Sequence, residues 1–152
     1  MRDTILTFVL TIIGGISIFV LGQIFLKAFI DPILQLRAFK GTIADSLVYY
    51  SDIYFNPSIN KEEDAIKASK RLRGLGSELM AKTTVVPVYS LWSYLGFVPI
   101  MSDILSVNRN LIGLSHGVFG GDPQLSVKQV EGNTKRIEEI KAALRLPNEL
   151  LR

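Results

Sequence analysis

Cysteine is absent from this chain, and histidine occurs once, at His116. The first absence excludes disulfides, thiol catalysis and cysteine-based zinc or iron–sulfur sites. It leaves the compartment open, because reducing and oxidising environments both accept a chain without thiols. With a single histidine there is no Glu-x-x-His or His-x-x-x-His pair to hold a metal. Internal repeats, low-complexity tracts and alternating strand patterns are missing too, apart from Val85, Val86 and Val88 as a brief extended piece. No phosphate-binding loop is present. Arg73-Gly74-Leu75-Gly76 lies inside a helical pattern, and Gly120-Gly121 follows a helix, where a C-terminal cap explains it. Glu62-Glu63 and Glu138-Glu139 are consecutive on helices and point in different directions, which suits solvent better than paired acid–base work. His116 has no motif around it. The sequence thus names no catalytic residue, cofactor site or metal site and predicts a non-enzymatic protein. The net charge of +3 is too weak and too dispersed for a dedicated nucleic-acid binder, but is enough for a protein beside an anionic membrane leaflet.

What the chain does have is one long run without charge. The 23 residues from Thr4 to Leu26 carry none. At about 1.5 Å per residue they span roughly 34 Å as a helix, enough for a hydrocarbon core of ~30 Å. The run exceeds the ~7–15 residues of a signal-peptide apolar region, and QIFLKAFIDP after it offers no cleavage site. Residues 1–30 are therefore expected to be an uncleaved transmembrane anchor. Lys27, Arg37 and Lys40 follow it, whereas only Arg2 and the terminal amine precede it. The positive-inside rule then predicts a single pass with the C-terminal domain in the cytoplasm. Thr7, Thr11 and Gly15 share one face of this helix, and Gly14 and Gly22 an adjacent one. Small residues so spaced are candidates for close helix–helix contact in a homo-oligomer, although Thr and Gly are common in membrane helices in general.

Residues 31–147 read as one helical domain, with 148–152 as a short tail. Asp31-Pro32 is a helix-start signal, with Asp31 as N-cap. Leu36, Phe39, Ile43, Leu47, Tyr50 and Tyr54 follow at helical steps, as far as the breaker Asn56-Pro57. Whether this helix continues from the anchor or bends at the proline stays open. A second helix opens at Asn60 with Glu63 in a capping-box position, and its stripe is Ala65, Ala68, Leu72, Leu75 and Leu79. Lys67, Lys70, Arg71 and Arg73 lie off that stripe. They form either a solvated polar face or a contact for anionic lipid. Ser102-Asp103 caps a third helix with Ile104, Val107, Leu111, Leu114 and Val118, which Gly120-Gly121 ends. A fourth follows Asp122-Pro123 and carries Val127, Val130, Ile137, Ile140 and Leu144. Gly132 weakens its middle, and Glu138 and Lys141 make a surface pair. The fold class expected is all-α: a transmembrane helix followed by a four-helix bundle-like domain.

Between the second and third helices, the 20 residues from Thr83 to Ser102 are uncharged. Pro87, Gly96 and Pro99 interrupt them, and Tyr89, Trp92, Tyr94 and Phe97 are residue types enriched at membrane interfaces. Three arrangements suit such a stretch: a connection buried against the bundle, a segment lying in the membrane interface, or a second span.

The order of an anchor, LVYYSDIYFNP, ASKRLRGLGSEL, a proline- and aromatic-rich joint and NRNLIGLSHGVF resembles uncharacterised small bacterial membrane proteins with a helical cytoplasmic domain. That resemblance implies a bacterial inner-membrane location and brings no functional residues. Membrane lipid, a protein partner and a second copy of the chain are the partners to expect. The function expected is a membrane-anchored interaction module. A membrane-perturbing or pore-forming effector that uses Thr83–Ser102 is the alternative.

Overall fold

Apolar residues recurring every three or four positions have to bury one helix face, and the stripes above do so for most of their members. The computed structural model describes residues 2–57, 61–119, 123–147 and 149 and is predominantly helical, with no strand among them. The helices are α1 (Arg2–Phe25), α2 (Asp31–Tyr49), α3 (Ser51–Phe55), α4 (Glu62–Thr84), α5 (Tyr89–Tyr94), α6 (Met101–Gly117) and α7 (Pro123–Leu144). By length and composition, α1 and its continuation form the single helix among the described residues fit to cross a membrane.

α1 does not stop before α2. A π-turn over Leu26–Ile30 joins them, closed by the Asp31 N–H donating to the Leu26 carbonyl. Asp31 is therefore inside a helix, with φ −57° and ψ −45°, and not an N-cap as the Asp-Pro pair suggests. The reason lies in Pro32, which has no N–H and whose ring crowds the carbonyl four residues back. A wider turn gives that ring room, so the proline is absorbed without a break.

α2 ends at Tyr50 (φ −98°, ψ 15°) and α3 carries the same stripe onward. The Tyr54 hydroxyl donates to the Leu47 carbonyl across this joint, and burial, followed by Asp52, raises the pKa of that phenol. Neighbouring long helices alternate in direction. Lys82 on α4 stands over the Phe39 ring of α2, Arg73 of α4 reaches Ser115 of α6, and Asn110 of α6 donates to Glu139 of α7. α6 packs most closely, against α4 on one side and α7 on the other. Leu47, Leu72, Leu75, Leu79, Ile104, Leu111, Leu114 and Ile140 are wholly buried between these helices. Burial of this kind stabilises by about 1.5–3 kcal/mol for each fully buried side chain.

Several details depart from the sequence expectations. Ile100, not Ser102, is the N-cap of α6, and it makes no side-chain cap bond. α7 runs unbroken through Gly132 from Pro123. Val127 is 62% exposed, so the buried stripe of α7 does not include it. Glu138 and Lys141 do pair, at 2.9 Å, yet the Lys141 side chain is only 6% exposed and reaches outward from within the packing. The proposed cap at Asn60, the Gly120-Gly121 stop and all of the tail except Glu149 lie outside the described residues.

In place of the missing Val127, the α7 stripe contains a polar residue. Asn133 is wholly buried, and its amide donates to the Tyr54 carbonyl at 2.9 Å and the Gly117 carbonyl at 2.8 Å. Those carbonyls lie at the C-terminal ends of α3 and α6, where no helical N–H remains to bond them. Gly117 is required for this contact, since a Cβ there would collide with the Asn133 side chain. Asn133→Ala strands both carbonyls and should lower the stability of the detergent-solubilised protein by about 2 kcal/mol. A circular-dichroism melt that does not move on this substitution would mean the two carbonyls find other donors.

Candidate membrane-facing surface

Because the long helices alternate in direction, the start of α2, the end of α4, the start of α6 and the end of α7 meet at one end of the domain. That is the end at which α1 enters. Residues 85–100 close it over. α4 stops after Thr84, whose neighbour Thr83 turns its hydroxyl back onto the Leu79 carbonyl at 2.7 Å. Val88 then adopts φ +50° and ψ 44°, a left-handed conformation that β-branched residues rarely take. It redirects the chain into the six-residue helix α5.

The uncharged stretch divides between inside and outside. Val86 and Val98 are buried in the core, and Tyr89 and Trp92 pack partly against it. The Tyr89 hydroxyl donates to the Pro99 carbonyl at 2.7 Å, and burial together with Asp103 pushes its pKa up to about 12. Trp92 meets the Phe97 ring edge-on at 5.8 Å. Facing outward are Val85, Val88, Leu91, Tyr94, Leu95, Phe97, Ile100 and Met101, with Tyr94 89% exposed. Of the four aromatic residues singled out in the sequence, Tyr89 and Trp92 therefore hold the segment down, while Tyr94 and Phe97 project from it. No helix within the stretch is long enough for a second span. The connection is at once a plug for the core and an apolar surface.

Arg37 ties this surface to the base of α2. Its Nε donates to the Phe97 carbonyl at 2.9 Å, and its guanidinium carbon stands 5.4 Å from the centre of the Phe97 ring. Arg37 lies twelve residues beyond Phe25, so the apolar patch sits roughly 18 Å, along the helix axis, from the point where α1 ends.

The basic cluster of α4 is not at this end. Lys67, Lys70, Arg71 and Arg73 occupy the half of α4 that begins at the opposite end, roughly 16–25 Å before Thr84 along the helix axis. They also act separately. Lys67 pairs with Glu63 at 2.8 Å, which raises the Lys67 pKa and lowers that of Glu63. Arg73 bonds Ser115 at 3.1 Å and faces a ring nitrogen of His116 at 3.2 Å. Ser115 in turn donates to the Ile112 carbonyl, so its hydroxyl is committed on both sides. The positive charges at this end of the domain are Arg37, Lys40, Lys82 and Arg145, drawn from α2, α4 and the residue after α7. Sequence spacing brings only the first two into view. Among the described residues no group of three or more His, Asp or Glu is placed to hold a metal.

On α1, Thr11 donates to the Thr7 carbonyl and Ser17 to that of Ile13, both at 2.8 Å. These hydroxyls are thus satisfied within the helix. Nothing lies within 4 Å of a Cβ built on Gly14, Gly15 or Gly22, so the small-residue faces stand open.

The left-handed Val88 is exposed, so its side chain gains little from packing while its backbone is strained. Val88→Gly should therefore raise stability, by about 1 kcal/mol in a thermal melt. A fall in melting temperature would show that the valine side chain, not the turn, governs this joint. No protein-family model matches the chain, and no curated protein or solved structure is detectably similar to it.

Proposed function

We propose that this chain is a membrane-anchored, non-enzymatic interaction module: α1 crosses the bilayer, and a four-helix bundle-like domain lies against the leaflet on the side of its C-terminus. The observation that carries this reading is the position of the apolar patch from Val85 to Met101, at the same end of the domain as the entry of α1. A domain hanging freely from its anchor has no use for exposed Leu91, Tyr94, Leu95 and Ile100 at that point. A domain resting on lipid buries them, each worth about 1.5–3 kcal/mol on full transfer from water, and places Tyr94 and Phe97 at the depth where aromatic side chains concentrate. Lys27 and the four cations at the domain's near end support a cytoplasmic location under the positive-inside rule, in a bacterial inner membrane. The face of the domain turned away from lipid, together with the open Thr7, Thr11, Gly14, Gly15 and Gly22 faces of α1, is what remains for a protein partner or a second copy.

Trp92 reports on this arrangement directly. In vesicles its fluorescence should be quenched by lipids brominated high on the acyl chain. Leu91→Glu combined with Tyr94→Glu should remove most of that quenching and leave helix content unchanged. Equal quenching in both proteins would detach the patch from the bilayer and sink the resting-domain proposal.

A reporter enzyme fused after Arg152 should be active in the cytoplasm only, and periplasmic activity would reverse the orientation. If α1 self-associates, Gly15→Leu should reduce the mass measured by light scattering in mild detergent; an unchanged mass leaves the partner to the domain face. Leakage of dye from vesicles carrying the wild-type protein would favour the pore-forming alternative instead.

A further inference from the structure

Beside the apolar patch, a cleft of about 350 Å³ opens between the base of α2 and the end of α7. Three basic side chains line it, Arg37, Lys40 and Arg145, and no acidic residue does. None of the three forms an ion pair among the described residues. Two are held in place by carbonyls. Arg37 Nε donates to Phe97 O, and Lys40 Nζ donates to Leu144 O at 3.2 Å. Each bond uses one donor and leaves the other N–H groups of that side chain free. Half-buried Lys40 has its pKa lowered, first by burial and then by the two arginines, so the positive charges in the cleft repel one another.

Arg145 is the unusual member. Its N–H bonds the Ala142 carbonyl and the Leu146 N–H bonds the Lys141 carbonyl, the pairing of a Schellman cap at the end of α7. In that cap the residue at Arg145 takes a left-handed conformation, here φ +54°, which glycine fills without steric cost. The chain instead places a guanidinium there, beside two other cations. The end of the α7 dipole favours a cation there, but the backbone preference and the two neighbouring cations oppose it. An anion seated among the three would compensate it.

We propose that the cleft binds a phosphate group, and that the phosphate belongs to the headgroup of an anionic lipid in the leaflet on which the domain rests. Phosphate oxygens accept from guanidinium and ammonium donors at once, and several such charge-assisted bonds converge well on one phosphate. The choice of a lipid over a soluble phosphate rests on the membrane-anchored reading above. The cleft shares Phe97 with the apolar patch, so a lipid whose chains lie beside that patch has its headgroup at the level of the cations.

Arg145→Gly separates a binding role from a structural one, because it removes the charge while giving the cap its preferred residue. Full-length protein, delipidated in mild detergent, is titrated with phosphatidylglycerol and bound lipid is counted by native mass spectrometry. Inorganic phosphate and glycerol 3-phosphate are titrated in parallel. Phosphatidylglycerol should bind wild-type protein at about one per chain. Arg145→Gly should melt at a higher temperature yet bind the lipid about five- to tenfold more weakly. Lys40→Gln should weaken binding in the same direction, and Lys70→Gln, outside the cleft, should leave it unchanged.

Unaltered binding by Arg145→Gly and Lys40→Gln would overturn the proposal and leave Lys40 as a cap on the Leu144 carbonyl and Arg37 as a tie to the Phe97 carbonyl. An equal loss in Lys70→Gln would overturn it in favour of diffuse attraction. Inorganic phosphate binding as tightly as the lipid and displacing it would overturn the lipid source and point to a soluble phosphate compound. If Arg145→Gly fails to fold, Lys40→Gln and Arg37→Gln carry the same comparison. Because the titration is done in detergent, it is read independently of Trp92 quenching, and failure of either leaves the other interpretable.

Discussion

The passage of α1 into α2 through one π-turn sets the position of everything after it. A flexible linker would let the domain drift, whereas a helix continuous from Thr4 to Tyr49 directs the first packed face of the domain from the apolar segment itself. Ile33, only three residues past Ile30, is already buried. The core therefore begins almost where the apolar helix ends, and whatever caps that end of the core is brought close to α1. The uncharged connection from Val85 to Ile100 is that cap.

Two polar arrangements fix the opposite ends of this packing, each through backbone carbonyls at helix ends or in the turn after α5. At the far end Asn133 joins α3, α6 and α7 through two such acceptors. At the near end Lys40 bonds the last carbonyl of α7, and Arg37 bonds the turn that follows α5. The far arrangement is buried, and the Asn133 amide donates to both carbonyls. The near one is open and carries surplus positive charge. One end of the domain is thus specified for packing, and the other keeps donors in reserve.

The apolar stripes were legible in the sequence because helical periodicity is a local property. Leu36, Phe39, Ile43 and Leu47, and likewise Ile104, Val107, Leu111 and Leu114, are buried as their spacing predicts. The long charge-free run was legible for the same reason. What escaped were features made by distant parts of the chain. Arg145 sits 105 residues beyond Lys40, and no local pattern joins them. Asn133 follows Gly132, where the helical pattern is weak, and only packing makes it a buried donor to Tyr54 and Gly117. The basic cluster of α4 was conspicuous because it is contiguous, yet the direction of α4 carries it away from the entry of α1. Proximity along the chain and proximity in space favoured different lysines and arginines.

The π-turn at Leu26–Ile30 has a consequence for rotation. An α-helix advances about 100° per residue, so one residue gained or lost in a regular helix would swing the Thr7, Thr11 and Gly15 face by that angle around the rod. A π-turn accommodates one additional residue within a single turn. Between α1 and α2 it is the place where the length of the rod can change by one residue with the azimuth of the Thr7, Thr11 and Gly15 face held relative to the domain. Helix length and angular phase, locked together along the rest of the rod, are uncoupled there.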